Sequence, residues 1–553
     1  MGGSHHTTLH RTLGAGRILR QGTERPYREL TLQDGESHIV RDDLLGRGWE
    51  APPVRERRSL VCVGHVTDLQ IADVQSPVRF EFFNREFDDP RFAALVPVQR
   101  PQEALTVHAV DAVVRTLNGL DGSPVTGTPL SLVVTTGDAI DNAQWNEMQM
   151  FLALLEGGRV RPNSGGPGYE GVQGLDWPDR IFWRPEGEGP QGPDLWRERY
   201  GFPHHPGLLR AAIAEFDAPG LQLPWLACFG NHEALTQGVG ALTRPLLEYL
   251  VGGRKPVDLP SGLDRDRALD LFTEHPEAFL SGRQQPITPD IARRGITRAE
   301  FVAEHFRMGG RPYGHGFTQE NLREGTAYYT HDDPDSGVRM IGLDTNCLAG
   351  GADGCLDAEQ GRWLEQQLVE VHSRYRRADG TEVRTSHEDR LVVVFSHHGP
   401  DTLMNRRGLA ADSSGPLPLV GAEDLVALLH RFPNVVLWLN GHTHVNTVRP
   451  RPNPNDTGRG FWEVTTCAVI DWPCQARLVE LVDNGDGTLS VLCTMVDHDT
   501  PARPDPADER TWLASLHREI AANVPWSGLT SAMAGARTDR NVDLLLPFPF
   551  GRP

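Results

Sequence analysis

Six apolar runs in this chain end in side chains that can bind a cation or move a proton. They are Asp68 and Gln70 in HVTDLQ, Asp138 and Asp141 in GDAIDN, Asn231 and His232 in GNHE, Asp344 in GLDTN, His397 and His398 in SHHG, and His442 and His444 in GHTH. One such ending is an ordinary polar strand end; six in succession point to a common site. The donors are carboxylates, imidazoles and amide oxygens without thiolates, a set suited to borderline-to-hard divalent cations such as Mn²⁺, Fe²⁺ or Zn²⁺. A carboxylate can bridge two cations, so the set can hold a pair about 3.5–4 Å apart. Such a pair clamps a phosphoryl group and brings the pKa of a shared water towards neutrality.

The elements that must position these residues are legible as texture. SLVCVGHVTD, LSLVVTTGD, LQLPWLACFGNHE, VRMIGLDTN, LVVVFSHHG and NVVLWLNGHTH are short apolar runs feeding polar loops, the pattern of buried strands. Residues 101–119 place apolar side chains at helical spacing and stop at Asn-Gly. Strands alternating with helices predict an α/β domain with its functional loops at the carboxyl ends of the strands. ARLVELVDNGDGTLSVLCTMVD predicts a hairpin. Residues 1–58 read as a polar, irregular arm, and 501–553 as a tail packed on the domain and helical from about residue 507. Two insertions interrupt the catalytic span of 59–500: a Gly-, Pro- and Trp-rich segment at about 157–206, and a mostly helical one at about 236–326. The aromatics of the first insertion either wall the substrate pocket or bury themselves as a surface flap.

Taken in order, D-x-Q, G-D-x-x-D, G-N-H-E, H and G-H-x-H resemble the motifs of the calcineurin-like metallophosphoesterase superfamily, over roughly residues 59–446. HVTDLQIAD, GDAIDNAQWNE and RPYGHGF are similar to an actinobacterial-type subfamily of it. The resemblance implies a four-layer α/β/β/α sandwich with two metals at the strand ends. It assigns Asp68, Gln70, Asp138 and His444 to one metal, and Asp138, Asn231, His397 and His442 to the other. His232 is then the catalytic group that protonates the leaving oxygen or holds transition-state charge, with Asp141, Glu233 and His398 behind the ligands or facing substrate. His397 is chosen over His398 because family members place the ligand directly after the strand. The implied reaction is hydrolysis of a phosphodiester or diphosphate by a metal-bridging hydroxide. The alternatives are a phosphomonoesterase of the same fold and a non-catalytic metal-binding scaffold. Gln70 departs from the usual D-x-H. Its amide ligates only through a neutral oxygen, a harder and weaker donor than imidazole, which favours Mn²⁺ or Mg²⁺ over Zn²⁺ at the first metal. TDLQIAD also resembles the D-x-Q-x-x-D of manganese-dependent ADP-ribose and CDP-alcohol diphosphatases, which leans the substrate towards a small phosphorylated or nucleotide-type molecule.

Bulk properties bound these readings. With 54 basic and 74 acidic residues among 553, the net charge is −20, a field that repels duplex nucleic acid and leaves an anionic substrate in need of a local cation. Apolar residues make up 39% and charged residues 23%, ordinary for a folded chain, and no apolar run reaches the length of a membrane span. The 7 cysteines are scattered without a CxxC pair, and no apolar segment follows the basic N-terminus, so the chain reads as cytoplasmic.

Overall fold

The computed structural model describes residues 6–46, 57–307, 309–407, 419–456 and 458–550. Two mixed sheets carry an α/β fold. The first has seven strands, in the order Ile39–Arg41, Val542–Pro547, Thr488–Asp497, Gln475–Asp483, Arg58–Val66, Leu132–Thr135, Trp225–Leu226. The second has six, in the order Tyr329–Asp332, Arg339–Gly342, Val392–Phe395, Val435–Asn440, Gly460–Thr465, Thr447–Pro452. Within each sheet the strands that precede the chemistry-bearing loops run parallel, Arg58–Val66 beside Leu132–Thr135 beside Trp225–Leu226, and Arg339–Gly342 beside Val392–Phe395 beside Val435–Asn440. Parallel strands deliver their carboxyl ends, and the loops that follow, to one edge.

Side-chain alternation divides the second sheet between two cores. Val393, Phe395, Leu437, Leu439 and Val464 join the core that holds Val61, Val63 and Val133 of the first sheet. Val392, Val394, Trp438 and Phe461 point the other way, onto Leu364 and Leu368 of helix Ala358–Val369 and Leu425 and Leu429 of helix Ala422–His430. A strand buried on both faces must be apolar throughout, which is why VVVF and VVLWL carry no polar alternation. Helix Thr106–Asn118 lays Val107, Val110, Val113, Val114 and Leu117 against the first core, with i, i+3 and i+4 spacing on one face.

Several elements differ from the sequence reading. The N-terminal arm is not irregular: Arg11–Arg20 pairs antiparallel with Tyr27–Asp34, and Ile39–Arg41 joins the first sheet. The ribbon's first strand is mostly exposed, so it lacks the apolar alternation that betrays a half-buried strand. The 236–326 insertion is less helical than its composition suggests: helices Arg244–Leu250, Ala268–Glu274 and Arg298–Glu304 span 7 residues each, and Pro276 follows just beyond the end of the second. The tail is helical only over Trp512–Asn523 and ends in strand Val542–Pro547. The aromatics of 157–206 do not reach the functional edge. Trp183, Trp196 and Phe202 pack with Tyr27 of the ribbon and with Leu516 and Ile520 of the tail helix. All seven cysteines are buried, and none is in a disulfide. No helix among the described residues is long and apolar enough to cross a membrane.

Candidate metal site

Backbone hydrogen bonds fasten the functional loops to one another. Asp68 N–H donates to Gly137 O (3.1 Å), Gln70 N–H to Asp138 O (2.8 Å) and Ile71 N–H to Ala139 O (3.0 Å), joining the first two loops. Glu233 clamps the third onto them: its carboxylate accepts from the N–H groups of Gly230 (2.6 Å), Asp138 (3.0 Å), Ala139 (2.5 Å) and Ile140 (3.1 Å). Burial, then the charge of Asp138, pushes its pKa up to about 8. Gly230 and Gly441 are required where loops touch, since a Cβ would strike Asp138 at the first and Thr67 at the second. Asp68, Gln70, Asp138, His442 and His444 all take left-handed backbone, with φ of 50°, 42°, 50°, 69° and 60°. Left-handed φ costs a residue with a Cβ roughly 1–2 kcal/mol, and such strain collects at functional sites that over-determine it.

At Asp68 and Asn231 one polar atom is engaged by protein and another is buried without a hydrogen-bond partner, and at Asp138 and His397 the second atom faces the cluster. Asp68 Oδ2 accepts from Thr67 Oγ1 (2.7 Å) and the His442 N–H (3.0 Å), while Oδ1 has no hydrogen-bond partner and lies 3.3 Å from His444 Nε2. Asp138 Oδ1 accepts from the His232 N–H (3.0 Å), while Oδ2 lies 3.2 Å from His397 Nε2. Asn231 donates through Nδ2 to Gly238 O (3.0 Å), and its Oδ1 is buried without a partner. His397 Nδ1 donates to Thr136 O (2.8 Å), so its Nε2 faces Asp138 and His442 Nδ1, 3.2 Å from the latter. Carboxylate oxygens and ring nitrogens gathered this closely need positive charge among them, a proton or a metal. The nearest ligand atoms of Asp68, Asp138 and His397 lie within 4.8 Å of one another, close enough to hold a metal ion. The residues present therefore fit divalent cations.

The electrostatics agree. Burial opposes charge on His397 and His444, yet Asp138 and Asp68 outweigh it at His397 and Asp68 and Asp471 at His444, raising each to about 9. His442, penalised by burial and then by the charge of His397, falls to about 3. Burial also works against ionisation of Asp68 and Asp138, but the imidazoles beside them hold both carboxyls below the usual range. A pocket that draws positive charge onto inward-facing nitrogens this strongly is prepared for a cation.

The remaining candidates fall in distinct places. Gln70 turns its Nε2 to His232 Nε2 (3.3 Å) and His444 Nε2 (3.4 Å), leaving Oε1 buried and unpartnered. An amide ligates only through oxygen, so Gln70 joins the set only with its amide turned over. His232 donates through Nδ1 to the Asp141 carbonyl (2.6 Å) and presents Nε2 to the cluster, 3.8 Å from Asp138 Oδ2. The Asp141 carboxylate is itself engaged by Arg79 (3.0 Å) and Gln237 (3.0 Å), so its carbonyl orients the ring. His398 shares a possible three-imidazole group with His397 and His442, but both its nitrogens are occupied, Nδ1 by Thr345 Oγ1 and Nε2 by Ala352 O, each at 2.9 Å. Asp344 is paired with Arg298 (2.9 Å), a structural use. Asp471 was not singled out from the sequence. It accepts from His444 Nδ1 at 2.7 Å, and the only signal for it was its place at the end of the apolar run CAVIDW.

Beside the cluster opens a cavity of about 310 Å³. Gln70, Asp138, Asn231, His232, His442 and His444 form one side. The other side is segment 94–98 with Val239, Trp526 and Met533; no residue of 157–206 lines it.

No protein-family model and no curated protein matches the chain. Among solved structures, that of a dimetal phosphatase from Danio rerio aligns with 80% of this chain and 100% of its own, at 11% identity and a TM-score of 0.31.

Proposed function

We propose that this chain is a dinuclear metal-dependent phosphoesterase that hydrolyses a phosphodiester or diphosphate bond. The observation that carries the reading is the convergence of donor atoms from both sheets onto one edge: Asp68 Oδ1 and Asn231 Oδ1, buried without a hydrogen-bond partner, beside Asp138 Oδ2, His397 Nε2 and His444 Nε2. The sheet–sheet core with helices outside it supports a four-layer α/β/β/α sandwich, whose first sheet also takes in Ile39–Arg41 and Val542–Pro547 from outside 59–500.

In this reading Asp68, Gln70, Asp138 and His444 hold one cation, and Asp138, Asn231, His397 and His442 the other. Asp138 is the bridge, and Mn²⁺ or Fe²⁺ suits the oxygen-rich set. The chemistry such cations supply when bound is polarisation of the phosphoryl oxygens and activation of a water. The chain's own residues do the rest. His232 in its imidazolium form has two N–H groups; one donates to the Asp141 carbonyl, and the other, on Nε2, protonates the departing oxygen. Glu233 keeps the loops bearing Asp138 and His232 in register through its four backbone acceptor bonds. The substrate is small, to fit the cavity, and the acidic surface disfavours duplex nucleic acid. A cytoplasmic setting suits seven buried cysteines with no disulfide among them.

The test is hydrolysis of a bis-aryl phosphodiester and an aryl phosphomonoester with added Mn²⁺, for wild type and His232→Ala. Diester turnover that falls about 10²- to 10⁴-fold in the variant, with metal retained, supports the proposal. Faster turnover of the monoester moves it to a phosphomonoesterase. No turnover of either by metal-loaded protein leaves a metal-binding scaffold.

A further inference from the structure

We infer, resting on the phosphoesterase reading, that Arg100 seats the phosphoryl oxygens of the substrate and that the apolar wall beside it takes an apolar ester group, so that the preferred substrates are aryl or alkyl phosphoesters. Arg100 is the only arginine lining the cavity, and no lysine lines it, among the described residues. In a chain of net charge −20, a phosphate needs such a local cation beyond the metals. The guanidinium is ion-paired, with Nε 3.2 Å from Asp471 Oδ1, and the backbone behind it is anchored where the Arg100 N–H donates to Glu103 Oε2 at 3.0 Å. Its two terminal amino groups make no hydrogen bond to any described residue. A fork held by its Nε and open at its two-nitrogen end is arranged for bidentate contact with a phosphoryl group.

The same carboxylate that pins Arg100 holds His444 through its other oxygen, which places the fork one residue from a proposed metal ligand. Beyond it the wall is Leu95, Val96, Pro97, Val98, Val239 and Trp526. Trp526 is braced from behind by Phe87 and Trp196, with ring centroids 5.0 and 5.2 Å away. Outside the metal cluster the cavity's uncharged polar groups are few: Gln237, which already donates to Asp141, Thr443, and the unpartnered Trp526 Nε1–H and Ser527 Oγ. A ribose and base bring many polar atoms that such a wall leaves unpaired, whereas a phenyl or alkyl group buries cleanly against it.

Calorimetric titration tests this without turnover. Inorganic phosphate, phenyl phosphate and uridine monophosphate are titrated into Mn²⁺-loaded wild type, Arg100→Gln and Trp526→Ala, with the metal content of each measured. Arg100→Gln is expected to weaken inorganic phosphate about tenfold or more while keeping wild-type metal content. Phenyl phosphate is expected to bind wild type more tightly than the other two, and Trp526→Ala to erase that advantage while leaving inorganic phosphate unchanged. Unaltered phosphate affinity in Arg100→Gln, a loss matched by loss of metal, or uridine monophosphate binding as tightly as phenyl phosphate overturns the inference. Failure of the metal-loaded wild type to hydrolyse any ester while these affinities stand would instead remove the hydrolase reading alone.

Discussion

His444 Nδ1 lies 2.7 Å from one oxygen of Asp471, and Arg100 Nε lies 3.2 Å from the other. Asp471 therefore holds the proton on His444 Nδ1 and aims Nε2 at Asp68 Oδ1, 3.3 Å away. A carboxylate behind a ligating imidazole orients the ring and raises its basicity. Asp471→Asn should weaken the first metal roughly 10- to 100-fold, read by competition with a chelating dye. Unchanged affinity would mean that His444 needs no such partner.

Gln70 offers a second handle on the same metal. Replacing a neutral amide by imidazole supplies a softer and stronger donor, so Gln70→His should tighten the first metal and move its preference from Mn²⁺ towards Zn²⁺. The variant also removes the amide contact with His232 Nε2 at 3.3 Å, so metal preference, and not rate, is the quantity to compare. An unaltered preference would place Gln70 outside the ligand set.

Lys255 is the chain's one lysine and is fully buried, 2.5 Å from Glu81. Burial lowers the amine's pKa, and the Glu81 carboxylate opposes that shift. Removing one partner leaves the other charge buried without compensation. Lys255→Met should cost about 3–5 kcal/mol, and adding Glu81→Leu should recover much of it. Thermal unfolding of both variants reads the effect, and equal melting temperatures for the single and double variants would contradict it.

Glu519 sits in the tail helix beneath the N-terminal ribbon, where Tyr27 Oη donates to it at 3.1 Å. Burial, then the charge of Glu29, raises its pKa from 4.5 to about 7. The folded state thus holds a proton that the unfolded state releases, so stability falls as pH rises from about 4.5 to about 7 and is level above. The full span corresponds to on the order of 3 kcal/mol. Glu519→Gln, which cannot ionise, should melt higher than wild type at pH 8 and nearly level with it at pH 4.5. An identical gap at both pH values would show that Glu519 does not titrate in this way.

How much of the site could be read in advance follows from where its residues lie. Asp68, Asp138, Asn231, His397 and His442 each follow a buried strand within a few positions, so apolar runs flag them one by one. The α/β alternation was legible for the same reason, since strands buried on both faces leave continuous apolar runs such as VVVF. Asp471 is harder to see: a lone acid after CAVIDW has no second ligand beside it, and only folding sets it against His444. The N-terminal ribbon was missed because its first strand is mostly exposed, which erases alternation. Strand Val542–Pro547 was missed because it sits beyond a helix that suggested a helical end. The two neighbouring imidazoles His397 and His398 differ only in their partners. One has a nitrogen free for the cluster and the other spends both on Thr345 and Ala352, a distinction no spacing rule contains.

The central claim is that Asp138 joins two cations, because one of its oxygens faces His397 at 3.2 Å in a cluster shared with Asp68. Elemental analysis of protein purified without chelator and equilibrated with Mn²⁺ tests it most directly. The account predicts about two equivalents of metal per chain in the wild type. It predicts a fall towards none in Asp138→Ala with the fold retained by circular dichroism. One equivalent or fewer in the wild type, or two still held without the carboxylate of Asp138, would contradict it.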